Sequence, residues 1–410
     1  MRTCLPHVLL AVILNLGIAS AWAEPTLVGF FRLPADTFAQ GPTSGQFIEA
    51  ANGRTPPFAD RQPVQGVSCV IHSPEGLLLL SDNGFGGKSN SADYLLSVYR
   101  LPSGPEILGM HPPEPAFTIH DPDRQIPWPI VADAEFYPNG KGDIPVDPAI
   151  REQRLLTGAD FDVESFVRLD DGSFIIGEEF GPYLLHVDAT GKLLRAPIPV
   201  PGVKSPDNPT LAKDEAPTLP RSRGFEGMAK LPNAPHLLCM LEGPVQGQPE
   251  KQLNVYRFDY EQMGFAPNDP ISPAFTYHLS DEASAIGELT ALNDRHLIVI
   301  ERDSKQGDEA AWKKLFLVDI ERQDADGNAS KTRLADLLAI ADPKDLDGNG
   351  DPIHRMPFWT IESVLVVDPR TLLIVNDNNY PFAHGRQEGL PEPTEFALIR
   401  FERPVESHVP

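Results

Sequence analysis

The stretch Gly158 to Asp188, GADFDVESFVRLDDGSFIIGEEFGPYLLHVD, places glutamate where one apolar run begins (Glu164) and where the next ends (Glu178, Glu179). The polar turn LDDGS between the runs makes this an antiparallel hairpin whose acid-bearing ends meet at one edge. Four further stretches share the plan: VQGVSCVIHSPEGLLLLSDNG, GFEGMAKLPNAPHLLCMLEGP, AIGELTALNDRHLIVIERDS and TIESVLVVDPRTLLIVNDNN. The five units start at Gly66, Glu164, Glu226, Glu288 and Glu362, spaced by 98, 62, 62 and 74 residues. A third apolar run follows in each, as in YLLSVYR and KLFLVDI, and a fourth is visible in PAFTIHD and PAFTYHLS.

Four short strands per unit, repeated, predict an all-β fold of the β-propeller type. Runs such as LLLL and LIVI lack polar alternation, so they need cover on both faces, which stacked blades provide. Five four-stranded blades are visible, and the long first interval leaves room for a sixth. That interval also contains VDPAIREQRLLTG, which reads as a short helix in an insertion. The last unit lacks a fourth strand. PTLVGFFRLP (Pro25 to Pro34) can supply it and close the ring.

Composition agrees with a turn-rich chain: 41% of the 410 residues are hydrophobic, and there are 43 prolines and 32 glycines. Asp plus Glu outnumber Lys plus Arg by 58 to 34, a net charge of −24, which argues against a nucleic-acid partner. Residues 1–23 carry Arg2, an apolar stretch from Val8 to Ile18 and small residues at Ala21 and Ala23, the pattern of a cleavable export signal. The expected organisation is a signal at 1–23 and one propeller domain over 24–410, exported to the periplasm or beyond. No later segment is apolar enough to span a membrane. Cys69 and Cys239 lie in strand-like runs and read as buried thiols, with a disulfide between them as the alternative.

In an antiparallel blade the start of the first strand and the end of the second share a rim. That rim gathers Glu164, Glu226, Glu288 and Glu362 with Asp82, Asn83, Glu178, Glu179, Glu242, Glu301, Asp303, Asn376 and Asp377. Converging carboxylates repel, and a cation or shared protons must offset the repulsion. Oxygen ligands suit calcium, or magnesium with bound water, and no Cys or His cluster has zinc spacing. Glu164, Glu226, Glu288, Glu362 and Asn83 are therefore the candidate rim ligands. Arg223, Arg302, Lys305 and Arg355 are the cations placed to meet an anionic substrate. No G-x-S-x-G elbow occurs, and Ser68, Ser165 and Ser363 have no neighbouring histidine, which argues against a serine nucleophile. A second cation signal is DLDGNGD, where Asp345, Asp347 and Asn349 with Gly350 follow the start of an EF-hand loop and Asp351 follows. Position 12 is Met356, so the usual bidentate glutamate is missing.

The phrases GADFDVESFVRLDDGSFIIGEEFGPYLLHVDATGKLL, RGFEGMAKL and IVIERDS resemble the signatures of the phytase-like family, described by esterase-like activity of phytase. The resemblance runs from about Leu27 to Phe401. It implies a secreted bacterial β-propeller that hydrolyses phosphate or other esters. It also implies that Glu164, Glu226, Glu288, Glu301 and Arg302 match the family's recurring motifs and are the catalytic candidates. The expected protein is a monomeric, calcium-assisted hydrolase of a small anionic ester; the alternative is a propeller that binds a ligand, cation or protein without chemistry.

Overall fold

Each of the five repeats folds into its own small antiparallel sheet, and the sheets stand as blades around one axis. The computed structural model describes residues 24–102, 112–138, 143–265 and 273–408, so the expected export signal at 1–23 lies outside the described residues. The innermost strands are Val67–Ser73, Val163–Arg168, Phe225–Lys230, Ala285–Ala291 and Ser363–Asp368. Each touches the next, and the fifth returns to the first. In the first four blades the strands step outward in chain order. The fourth blade is the most complete, with His296–Arg302, Lys313–Gln323 and Ala329–Asp336 outside its innermost strand.

The second strands Gly76–Ser81 and Phe174–Glu178 are buried at every position, because neighbouring blades cover both of their faces. Apolar side chains between blades form the core. One such layer joins Leu80, Phe166 and Ile176, and another joins Leu27, Ile300, Ile374 and Ile399. Cys69 and Cys239 are free thiols in different layers, so the disulfide alternative falls away.

The five visible blades are the blades of the fold, and the room left for a sixth is not used among the described residues. The first interval instead holds a 3-10 turn at Val131–Asp133 and a helix at Pro148–Gln153, with an isolated bridge from Phe136 to Pro145 between them and another from Leu95 to Thr157 that fastens the insertion to the first blade. The Asp147 side chain caps the helix by accepting from the Ala149 amide, and Pro148 occupies the first turn, where its missing N–H costs nothing. A second insertion, centred on the pair Phe38–Gln40 and Arg61–Pro63, packs Phe58 against Phe85, Tyr94 and Tyr380.

The ring closes as the sequence predicts. Strand Thr26–Leu33 pairs antiparallel with Thr394–Arg400 in the fifth blade, from Thr26 opposite Arg400 to Leu33 opposite Thr394. Glu395, fully buried, accepts Arg32 at 2.8 Å from the closing strand and also pairs with Arg386. Outside the closing strand the sheet continues through Ile340–Ala341, parallel to it at Thr26, and Ile353–His354.

Leu27 is 1% exposed and its neighbour Val28 43%. Leu27→Ala should therefore cost about 2–5 kcal/mol in a urea unfolding experiment, and Val28→Ala less than about 0.5 kcal/mol. Equal effects would mean that the N-terminal strand does not seal the ring.

Candidate metal centre at the propeller mouth

A β-bulge interrupts the pairing of the first two strands close to the mouth in four blades, between Val67 and Cys69, Val163 and Ser165, Phe225 and Gly227, and Ile286 and Glu288. The inserted residues are Ser68, Glu164, Glu226 and Gly287. In the fifth blade Glu362 takes this place, its amide donating to the Val375 carbonyl beside the Ser363 to Val375 pair. A bulge re-aims the extra side chain, and here it turns Glu164 and Glu226 into the mouth, where Glu362 joins them. Gly287 cannot be replaced by a fourth, because a Cβ there would lie 2.1 Å from the Ile361 carbonyl oxygen.

The ends of the second strands divide by the alternation of strand side chains. Ser81, Glu178, Leu241, Glu301 and Asn376 occupy one register position. Glu178 accepts from the amides of Phe180, Gly181 and Tyr183, and Asn376 accepts from the Glu395 amide, so this position ties down the loop or strand that follows. The next residues, Asp82, Glu179, Glu242, Arg302 and Asp377, form the second tier of the mouth. Four blades supply an acid there, and the fourth blade supplies arginine.

Within this mouth, carboxylate oxygens of Asp162, Glu164 and Glu179 lie within 4.8 Å of one another, and so do those of Glu179, Glu226 and Glu242. Glu179 thus belongs to both triplets. The Arg302 Nη2 atom lies 3.2 Å from Glu242 Oε1, 3.2 Å from Glu362 Oε1 and 3.8 Å from Glu226 Oε1. Arg223 pairs with Glu242 at 2.7 Å. Lys88 projects from the loop after Asp82 over the Phe180 ring, 4.5 Å from its centroid, and its charge acts on Asp162.

Burial sets the protonation of this ring. It raises Glu362 to about 8, with Asp377 adding to the rise and Arg302 opposing it. Burial raises Asp162 and Asp377 to about 6. Asp82, Glu164, Glu179 and Glu226 are pushed well above the usual carboxylate range, first by burial and then by the charges of their acidic neighbours. Burial lowers the Arg302 guanidinium, but Glu242, Glu362 and Glu226 outweigh it and hold the charge.

Two buried atoms, Glu179 Oε1 and Glu226 Oε1, have no hydrogen-bond donor. Orphaned carboxylate oxygens inside two all-oxygen triplets fit a hard divalent cation.

The expected site residues separate once their register is known. Glu164, Glu226, Glu362 and Arg302 come together. Glu288 does not join them: it lies one residue beyond the bulge, in the register of Ser165 and Gly227, and a one-residue step turns the side chain to the other face. There it accepts from the Leu289 amide at 2.8 Å beside Cys69, and burial holds its carboxyl well above the usual range. Glu301 is also separate, because it accepts from Tyr277 Oη at 2.6 Å and Trp312 Nε1 at 3.1 Å and pairs with Lys331. Asn83 is buried beside Asp162, which its backbone amide helps keep ionised, while its own Oδ1 accepts from Gly86. Arg223 stands at the mouth. Lys305 and Arg355 line a cleft of about 1040 Å³ with Trp359 and His384; none of the mouth carboxylates is in its wall. Asp345, Asp347, Asn349 and Asp351 form a separate loop at the edge of the closing blade. Asp162 escaped the sequence reading although it stands two residues before Glu164, and Glu179, read only as part of the rim, is the shared member of both triplets.

Without a cation the folded protein retains protons on Glu362, Asp162 and Asp377 at pH values where an unfolded chain, with ordinary values of 4.5 and 3.8, has released them. Folded protein then binds more protons than unfolded, so stability falls as pH rises. Chelator-treated protein should lose melting temperature between about pH 5 and pH 8, and saturating calcium should flatten that loss. A chelated melting temperature that rises over this range would contradict the assignment.

Comparison with known proteins places these residues in a family. Among solved structures, the chain is similar to a protein of unknown function from Dyadobacter fermentans, at 9% identity and a TM-score of 0.41, covering 93% of this chain and 99% of that one. It is also similar to a structure from the GH130 family of mannoside phosphorylases and glycoside hydrolases, at 10% identity and a TM-score of 0.42, covering 94% and 96%. A third is the PQQ-bound aldose sugar dehydrogenase of Streptomyces coelicolor, at 11% identity and a TM-score of 0.34, covering 92% and 100%. At these identities and scores they carry no argument about chemistry. None of the curated proteins compared with the chain matches it. A family model described as "Phytase-like: Esterase-like activity of phytase" matches residues 62–380, and the chain belongs to that family.

Proposed function

We propose that the protein is an exported, monomeric, metal-assisted hydrolase of small phosphate or carboxylic esters, with its site at the acidic mouth. The observation that carries this reading is the pair of donorless buried oxygens, Glu179 Oε1 and Glu226 Oε1, in overlapping carboxylate triplets. Asp162, Glu164, Glu179, Glu226 and Glu242 would hold the cation, and an all-oxygen set suits calcium, or magnesium with bound waters. A bound divalent cation supplies Lewis-acid polarisation of an ester oxygen and lowers the pKa of water.

The chain's own residues supply the rest. Glu362, raised to about 8, can take up and release a proton near neutral pH, which suits a general acid or base. Arg302 bridges Glu242 and Glu362 and fixes their orientation; its buried Nε has no acceptor and is the group available to an anionic oxygen. Arg223 and Lys88 add positive charge at the edge of the mouth, and Lys305 and Arg355 give the neighbouring cleft its anion contacts. Family membership favours ester hydrolysis, and the leader-like residues 1–23 favour a periplasmic or secreted enzyme.

Turnover of p-nitrophenyl phosphate and p-nitrophenyl acetate by the purified protein, with calcium and with chelator, tests the reading. Glu179→Gln should weaken calcium binding at the mouth and lower turnover by about 10- to 100-fold. Glu301→Gln should keep calcium binding but lower the melting temperature, since it uncouples Lys331. Calcium bound at the mouth without turnover of either ester would favour the ligand-binding reading. A Glu179→Gln protein that binds calcium and turns over ester like the parent would contradict both the metal site and the role given to it.

A further inference from the structure

The segment Asp342 to Asp351 is the turn of the outermost hairpin of the closing blade, between Ile340–Ala341 and Ile353–His354. Its sequence begins like a calcium loop but lacks the glutamate at position 12. Met356, which stands there, is fully buried in the hydrophobic core and offers no carboxylate. The structure supplies a carboxylate from the other direction. Oxygens of Asp342, Asp345 and Asp347 lie within 4.8 Å of one another, although Asp342 precedes the motif by three residues.

Asp342 is 1% exposed, and its Oδ1 is buried with no hydrogen-bond donor. A buried, unpaired carboxylate oxygen is expensive unless something positive reaches it. Its other oxygen accepts from the Asp347 amide at 3.2 Å, which holds the carboxylate against the loop. Asp345 Oδ1 accepts from the Gly350 amide at 2.8 Å, the bond between positions 1 and 6. Asp347 Oδ2 is oriented by His354 Nδ1 at 2.6 Å and by Asn349 Nδ2 at 2.8 Å. Such outer partners fix the ligand side chains of metal sites.

We propose that this loop is a second, structural calcium site, separate from the mouth, with Asp342, Asp345 and Asp347 as its carboxylates and Asn349 as the neutral oxygen. Three carboxylates and an amide oxygen suit calcium, with its looser coordination, better than magnesium, which demands a tighter octahedron. The site clasps the ring closure. Ala341, next to Asp342, pairs in parallel with Thr26, and its amide donates to the Pro25 carbonyl at 3.0 Å. A cation that fixes the hairpin turn therefore also fixes the edge against which the N-terminal strand is laid, and it binds the folded state alone.

Calorimetric titration of the whole protein with calcium tests this, using Glu179→Gln as the background in which the mouth is impaired. One binding event should persist in Glu179→Gln. Adding Asp345→Asn, an exposed position that leaves the fold intact, should weaken that event by at least about 10-fold. Asp342→Asn alone should weaken the same event and reduce the calcium-dependent rise in melting temperature, without changing the calcium-saturated ester turnover of the parent. Magnesium should bind this site more weakly than calcium. If the remaining event is unchanged by Asp345→Asn and by Asp342→Asn, or if Glu179→Gln abolishes all calcium binding, the loop is a polar turn and the proposal fails.

Discussion

Repulsion among buried carboxylates is the constraint around which this propeller is arranged. Five innermost strands converge on one mouth, where bulges aim Glu164 and Glu226, and the start of the fifth blade brings Glu362, into the space where Asp82, Glu179, Glu242 and Asp377 also end. So many acids, taken out of water at such separations, cannot all ionise unless positive charge sits among them. The fourth blade provides part of the answer. At the bulge it has Gly287, where no side chain fits, and at the second-strand end it has Arg302 in place of an acid. A single guanidinium cannot balance the ring, and the oxygens it leaves without donors, on Glu179 and Glu226, are those best placed for a metal ion.

The rest of the structure holds these groups still. The polar residues one step before the second tier bind neighbouring segments: Glu178 takes three amides, Asn376 accepts from the Glu395 amide, and Glu301 takes Tyr277, Trp312 and Lys331. Lys313, fully buried, pairs with Asp303 at 2.8 Å and donates to the Trp359 carbonyl, so it links the fourth blade to the segment that leads into Glu362. Closure by Thr26–Leu33 completes the fifth blade, without which Glu362 and Asp377 would sit on a sheet with a free edge.

The architecture was legible because unbroken apolar runs such as LLLL and LIVI recur with acids at fixed ends, a pattern that follows from burial on two faces. The site was legible only to within one residue, and that residue mattered. IGEL looks like VES or FEG with the glutamate slightly displaced, yet the displacement crosses the bulge and sends Glu288 away from the ring. Glu301 and Arg302 are adjacent in the chain, but strand alternation gives them opposite duties, one an anchor and the other the counter-charge. The five visible blades are the blades of the fold, and the interval with room for a sixth is filled instead by a helix and irregular turns, which length alone does not distinguish from four strands. Asp342 lies outside the loop motif it completes, and no spacing rule reaches backwards to it; only the hairpin of the folded chain does.

Anomalous diffraction from crystals soaked in calcium tests the central claim most directly. Cation density is expected against Glu179 Oε1 and at least two more oxygens from Asp162, Glu164, Glu226 and Glu242. A mouth without density at saturating calcium, with Glu179 and Glu226 still lacking donors, would contradict it.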